Sequence, residues 1–483
     1  MRNPRNYPSK FIAALFAVSL AFGLAPILRA QEQTHSQART HADSAAQASS
    51  ETLERLQALE REVSLLRTEI AALKDSESER IYGSSTPGIR TAVLKQPGIE
   101  QAPPEDTPLT ASQGPEKTTI ASLLGPTSFS GFVDTYYGFN FNHPSSLTSG
   151  TRFFDANTNQ FGLNMIELTA DKAPNAAAGE AGRTGYHVSL GFGQAINTIN
   201  GSEPVTGTAF AQYLKEAYFS YLAPVGKGLQ IDVGKFVTTA GEEVIETKDD
   251  LNYSRSLLFY YAKPFYHFGV RANYKFNDKF SVQGAVTNGW NDIVDFSSAK
   301  TYGVSFTWNP TKQLGLKETY YAGPQPQIGN FANTYDTRHS SDTVITYSPT
   351  SKWAFALNGD YVREQRPYGS STNKVLDWWG GAGYAKYASS EKNNFAVRYE
   401  YYGDPHGYTV FGNSPFAGFD SHAQDVTATF THMLASSLMT RFEYRYDFAS
   451  RPFFQKGAIP FDVNEQHTLT LGMIYIFDSR EAK

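Results

Sequence analysis

Not one of the 483 residues is cysteine, which excludes disulfides, thiolate metal sites, cysteine nucleophiles and a lipid-modified cysteine anchor. Long apolar runs are scarce as well. Hydrophobic residues make up 40% of the chain and the mean hydropathy is −0.40, so several membrane-spanning helices of about 20 apolar residues each are ruled out. Excess charge of one sign is small: a net charge of −5 gives no electrostatic reason to expect nucleic acid as a partner. Catalytic signatures are missing, with no His-Glu-x-x-His, no Gly-x-Ser-x-Gly and no Gly-Lys-Ser/Thr phosphate loop. Gly191-Phe192-Gly193 lacks a third glycine and falls within an expected strand. The ten histidines are scattered, and His267, His432 and His467 read as interfacial residues rather than ligands. The reading is a non-enzyme with no cofactor and no metal. What is plentiful is aromatic: 34 Phe, 29 Tyr and 5 Trp.

The amino terminus carries Arg2, Arg5 and Lys10, then an apolar stretch from Phe11 to Ala25 and Leu28-Arg29-Ala30 before Gln31. That layout predicts a secretory signal peptide over 1–30, because Ser19, Gly23 and Pro26 shorten the apolar core below spanning length. Its loss removes four basic residues and takes the net charge from −5 to −9. Residues 31–50 are polar and aperiodic. Over 51–74, Leu56, Leu59, Val63, Leu66, Ile70 and Leu73 alternate spacings of three and four, predicting a short α-helical coiled coil. An isolated helix this short is marginal in water, so its seam needs a partner, and a second copy of the chain supplies a matching one. The alternative is a helix packed on its own barrel. Seven prolines between Pro87 and Pro126 make 75–127 a semi-extended linker.

From Ser128 the hydrophobic period becomes two. Phe442, Tyr444, Tyr446 and Phe448 alternate with Arg441, Glu443, Arg445 and Asp447. Phe268, Val270, Ala272 and Tyr274 alternate with Gly269, Arg271, Asn273 and Lys275, and Phe395, Val397, Tyr399 and Tyr401 with Asn394, Ala396, Arg398 and Glu400. About sixteen such segments of some ten residues occur, many ending in aromatics, which suits tilted strands crossing a bilayer. From the fourth segment on, short turns such as Asn277-Asp278 and Ala435-Ser436 alternate with long connections such as 238–264 and 403–421. A sandwich has no reason to sort its loops by parity. The fold expected over 128–477 is therefore all-β, an antiparallel transmembrane barrel, with 478–483 as a tail and both termini on the short-turn, periplasmic side. The connection at 171–183 is longer than this scheme wants. Thr470, Gly472, Tyr475 and Phe477 follow the carboxy-terminal pattern of outer-membrane barrels, although Asp478 to Lys483 come after the final aromatic.

Several longer motifs stand in the same region. They are Ser130-Gly131-Phe132-Val133-Asp134-Thr135-Tyr136-Tyr137, Ser220 to Gly226, Gly234-Lys235-Phe236-Val237-Thr238, Glu243 to Asp249, Asn252 to Phe259, and Asn288-Gly289-Trp290-Asn291. On these residues the chain resembles the putative beta-barrel porin-2 family, described as OmpL-like, over roughly 129 to 477. The resemblance implies an outer-membrane porin. It carries over no site residues.

A sixteen-strand barrel encloses a lumen too wide for its own side chains to plug, so small hydrophilic solutes would cross a water-filled channel. The third long loop, Thr238 to Lys263, is the candidate constriction: Glu242, Glu243, Glu246, Asp249 and Asp250 outnumber Lys248 and Arg255, which would favour cations. The alternative leaves that loop over the rim with its charges in bulk water. Arg271, Lys275, Arg398, Glu400, Arg441, Glu443, Arg445 and Asp447 are expected to line the lumen, since an Arg or Lys facing lipid at mid-depth costs about 2–4 kcal/mol. Opposite signs two residues apart suggest ladders that neutralise one another, or else a dedicated ion or substrate track. Expected partners are outer-membrane lipid, small solutes and further copies of the chain through both coiled coil and barrel. Rival readings are a soluble sugar-binding β protein, a barrel hydrolase with a membrane-embedded Ser-His pair, and an envelope tether whose barrel only anchors the coiled coil.

Overall fold

The computed structural model describes residues 127–201, 211–295, 299–324, 337–365 and 375–480. The signal segment, polar segment, coiled coil and linker lie outside the described residues, as do the last three positions of the tail. The first half of the sheet comprises β1 (Ser128–Asn140), β2 (Gln160–Lys172), β3 (Thr184–Phe192), β4 (Leu214–Ala223), β5 (Leu229–Val237), β6 (Tyr266–Lys275), β7 (Phe280–Thr287) and β8 (Thr301–Trp308). The second half comprises β9 (Leu314–Pro324), β10 (Thr337–Tyr347), β11 (Trp353–Gln365), β12 (Val375–Ala388), β13 (Asn393–Asp404), β14 (Ser421–Ala435) and β15 (Leu438–Ala449). A small hairpin, β16 (Phe454–Lys456) and β17 (Ile459–Val463), stands apart, and β18 (Glu465–Asp478) completes the wall. Sixteen antiparallel strands thus form one closed barrel, each paired with its sequence neighbour and β15 with β18.

Closure is the pairing of β1 with β18, in register from Ser130 opposite Asp478 to Asn140 opposite Thr468. No edge is left, which is what hydrocarbon demands of a sheet whose backbone has no water to bond. The two-residue period decides which side chains meet that hydrocarbon. Phe442 and Tyr444 of β15, Phe395, Val397 and Tyr399 of β13, and Leu469, Met473 and Tyr475 of β18 are exposed on the outside. Arg441, Glu443, Arg445 and Asp447 point inward and are buried.

Both strand termini of the barrel, Ser128 and Asp478, lie on the rim with the short turns. The long connection 173–183 on this rim is a true exception, not a misplaced strand. It holds two short 3-10 turns, Ala176–Ala178 and Ala181–Arg183, and Asn175 ties them by accepting from the Ala177 N–H and donating its own N–H to the Gly182 carbonyl.

The expectation of a lumen filled by water alone is corrected here. Connections from the opposite rim are drawn inward: L1 (141–159), the described parts of L2 (193–201 and 211–213), which carry α1 (Gln194–Asn200), and L3 (238–265), which carries α2 (Leu257–Tyr261). Phe154 of L1, Ile196 and Ile199 of α1, and Ile245, Tyr253 and Phe259 of L3 pack with Phe132, Tyr136 and Met165 of the wall. Leu257 and Leu258 pack with Trp378, Tyr384 and Tyr402. Each such side chain fully buried contributes about 1.5–3 kcal/mol, so the loops have their own reason to fold into the space that wall side chains cannot fill.

Candidate functional site

L3 is built to be gripped. Gly241 begins its inward turn at φ +96°, where a Cβ would lie 2.7 Å from Lys263 Nζ, so the residue has to be glycine. Ser256 caps α2 by accepting from the Phe259 N–H at 3.1 Å. Most of the other backbone groups that hold L3 in place find their partners in the barrel wall.

Glu443 accepts from the Tyr253 and Ser254 N–H groups, the shorter bond being 2.6 Å, and Glu400 accepts from Leu257 and Leu258 at 2.8 and 2.7 Å. Arg441 donates to the carbonyls of Thr247, Asn252 and Asp250, and Arg445 to that of Arg255 at 2.8 Å. Arg398 donates to the Ser254 carbonyl at 2.6 Å and to Glu243 at 2.7 Å, while its Nε reaches Asp425 at 3.2 Å. Asp134, on β1, accepts from Thr247 and Tyr253 side chains. At the far end Lys263 sits between Asp342 and Asp360 at 3.1 and 3.2 Å and donates to Asn358 at 2.8 Å.

These contacts correct the expected role of six wall charges. Arg398, Glu400, Arg441, Glu443, Arg445 and Asp447 lie on the inner face but are buried, the first five against L3 and Asp447 against Thr151 of L1, so they line packed protein and not water. The pairing of opposite signs two residues apart holds for Arg445 and Asp447, bonded at 2.7 Å, and Asp425 of β14 adds a cross-strand link to Arg398 at 3.2 Å and to Arg445 at 3.4 Å; Glu400 and Arg441 turn instead to backbone groups of L3. Arg271 instead bonds Asp232 at 2.8 Å, and Lys275 pairs with Asp278 near the short-turn rim. His267 is likewise buried inside, against the Gly289 carbonyl, and is not interfacial.

The acids of L3 are mostly matched by bases. Glu243 has Arg398, Glu246 has Lys215, Asp249 has Lys248, and Asp250 has Arg255 at 3.5 Å. Burial pushes the Asp250 carboxyl well above the usual range, with Arg255 opposing the shift. For Lys263, burial pulls the ammonium down, but Asp342 and Asp360 more than offset it and leave it above the ordinary lysine value. Among the described residues the Glu242 side chain takes no hydrogen bond or ion pair; burial raises its pKa, and Lys317 across from it holds that rise back. Lys317 in turn donates to the Gly241 carbonyl at 2.8 Å.

L3 takes most of its wall contacts from β1 and β10–β15 and fewer from Lys215 of β4, Gln283 of β7, Ser305 of β8 and Lys317 of β9, and space remains on that second side. A cavity of about 640 Å³ lies between L3 and β5–β9, lined by Gln230, Asn273, Gln283, Ser305, Thr307 and Lys317, and it reaches the short turn at Asn277–Lys279. Its lining also carries Glu243, Glu246 and Asp278, the bases Lys275 and Lys279, and apolar side chains such as Ile245, Phe259 and Val282. Among the described residues no group of three or more His, Asp or Glu is placed to hold a metal ion. Lys215, Lys263, Lys317, Asp134, Asp342, Asn358 and Asp360 escaped the sequence reading because the value of each lies in a partner distant along the chain.

Gly472 of β18 supplies the space for Tyr253, since a Cβ there would overlap the tyrosine ring. Gly472→Val is expected to displace Tyr253 and cost about 1–3 kcal/mol, read as a fall in thermal unfolding temperature in detergent.

Among comparisons with known proteins, the family model described as "Putative beta-barrel porin-2, OmpL-like" matches residues 126–477. No curated protein matches the sequence. Among solved structures, an anion-selective porin from Comamonas acidovorans is similar at 10% identity and TM-score 0.50, covering 73% of this chain and 99% of that one. OprB of Pseudomonas putida follows at 12% identity and TM-score 0.49, over 74% and 95%. The outer membrane channel DcaP of Acinetobacter baumannii gives 10% and 0.46, over 73% and 97%. At such identities the Comamonas porin bears on the fold alone.

Proposed function

This chain belongs to the Putative beta-barrel porin-2, OmpL-like family, and from that premise we propose that it lets small hydrophilic solutes diffuse across a bacterial outer membrane, past L3, along the β5–β9 side of the lumen. The short-turn rim, with both ends of the barrel, faces the periplasm in this reading. The observation that carries it is the uneven docking of L3, gripped mostly by β1 and β10–β15, which leaves a cavity of mixed polar and apolar lining that reaches that rim. Amides and hydroxyls there replace part of a solute's hydration, and Lys317 on the cavity wall, with Glu242 near enough to feel its charge, sets the local field beside L3. Since the other L3 acids already have bases, selectivity rests on this pair and not on the loop's acidic excess. Planar-bilayer recording of the purified protein tests the proposal. Stepwise conductance supports a porin; a silent bilayer would leave the barrel as an anchor for the coiled coil.

Glu242→Gln is expected to shift the reversal potential in a salt gradient toward anions, and Lys317→Gln toward cations. An unchanged potential in both would remove the pair from the constriction. The pH dependence follows from the raised Glu242 and Asp250 carboxyls. An acid whose pKa is higher in the fold stabilises the fold fully below its ordinary value and loses that contribution as pH rises through the raised one. L3 is therefore expected to be held more firmly in acid than at neutral pH, with open-channel noise lower near pH 5 than near pH 8. Cation preference should fade on acidification at a higher pH than a free glutamate's value of about 4.3 would give.

A further inference from the structure

The outward face of β11 and β12 changes character toward the long-loop rim. Leu357, Gly359, Tyr361 and Arg363 of β11 stand opposite Gly383, Gly381, Trp379 and Asp377 of β12. A Cβ at Gly359 or Gly381 would come no nearer than 3.8 Å to any other atom, and one at Gly383 no nearer than 3.5 Å, so the three leave a smooth recess in the wall. Tyr361 and Trp379 stand exposed at its upper end, and the Trp379 ring leans away onto Tyr401, centroids 5.4 Å apart. With Tyr320 of β9 they form the aromatic level at which a barrel wall passes from lipid tails to headgroups.

One pleat beyond that level a polar row crosses three strands: His339 of β10, Arg363 of β11 and Asp377 of β12, each opposite the next. Asp377 is occupied by other neighbours, meeting His406 at 2.8 Å and accepting from the Tyr361 hydroxyl at 3.4 Å. His339 has one ring nitrogen on the Tyr320 hydroxyl at 2.6 Å. Arg363 is exposed, and among the described residues its guanidinium has neither an ion pair nor a side-chain hydrogen bond. The inward arginines Arg271, Arg398, Arg441 and Arg445 are all bonded. A planar fork of N–H donors at headgroup depth suits two oxygens of a phosphate, and His339 stands beside it with its other ring nitrogen.

The recess points to a phosphate that carries an acyl chain. A free ion would use the polar row alone, whereas a lipid also fills the smooth strip over Gly359, Gly381 and Gly383. Glu318, a carboxylate lower on the same side of the barrel, is held by Ser341 and Thr343 and stands two strands from Gly359. We propose that the outward strip of β10–β12 binds a lipid with an anionic phosphate headgroup, the phosphate on Arg363 and one chain in the glycine recess. The site needs the barrel to sit in lipid but not to conduct, and so goes beyond the porin reading.

Trp379 reports from the site itself. Trp308→Phe and Trp353→Phe remove the tryptophans exposed near the other rim, and the full-length protein is reconstituted in phosphatidylcholine vesicles holding a minor fraction of chain-brominated phosphatidic acid. Stronger quenching is expected than from the same fraction of brominated phosphatidylcholine. Arg363→Gln is expected to lower that preference about five-fold, the effect of one basic group at an anionic lipid surface. Gly381→Leu, which keeps the arginine and fills the recess, should weaken it as well. Lys456→Gln, at an exposed base of the β16–β17 hairpin, should leave it unchanged. Equal quenching by the two lipids, or a preference that survives Arg363→Gln, would overturn the site. So would loss of the preference in excess inorganic phosphate, which marks a soluble anion, or no quenching by either lipid, which marks a face covered by protein. Conductance is read on the same preparation. A silent barrel that keeps the preference removes the porin reading alone, and a conducting barrel without it removes this site alone.

Discussion

Arg398→Ala is expected to destabilise the protein by about 3–5 kcal/mol, the usual cost of stripping one partner from a buried charge network. The side chain is fully buried and bonds Glu243 and the Ser254 carbonyl of L3 on one side and Asp425 of the wall on the other. Asp425 would keep Arg445 at 3.4 Å, but among the described residues Glu243 would lose its cation outright. Urea unfolding in detergent measures the loss. Arg398→Lys should recover only part of it, because a point charge cannot donate to Glu243, Ser254 and Asp425 together as the planar fork does. Equal stability of wild type and the alanine variant would mean that L3 is not held by this residue.

The Glu400→Ala, Glu443→Ala double variant is expected to act on transport even more than on stability. Four consecutive anchoring points of L3, the N–H groups of Tyr253, Ser254, Leu257 and Leu258, would lose their acceptors. A buried donor left without a partner costs about 1–3 kcal/mol, so the loop gains more by leaving the wall for water than by staying. Two readouts follow: single-channel conductance rises and becomes noisy, and residues 238–263 become open to protease in the folded barrel. A conductance identical to wild type with L3 cleaved would show that this loop does not narrow the path.

The pleat made much of the barrel legible. A strand's inside and outside are set by neighbouring residues two apart, so Phe442, Tyr444 and Tyr446 against Arg441, Glu443 and Arg445 could be sorted without knowing any partner strand. The parity of loop lengths is equally local: Asn277-Asp278 can close a turn and 238–264 cannot. These two features sufficed to lay out sixteen strands whose ends differ from the structure by a few residues.

What the alternation could not say is what each inward charge faces. Arg441 and Glu443 read as a neutralising couple two residues apart, yet one takes L3 carbonyls and the other L3 amides. Glu400 and the Leu257 N–H that it accepts are 143 positions apart in the chain, and no period or propensity connects them. Composition likewise made L3 an acidic loop, and only folding brought Lys215 and Arg398 to its carboxylates. By itself the sequence determined the closed, lipid-facing sheet, because hydrocarbon acts on every residue alike through its polarity. The tertiary structure alone decided the direction of the third loop and the bonding of its charges, because a buried ion is placed by whichever counter-charge and backbone groups the fold delivers to it.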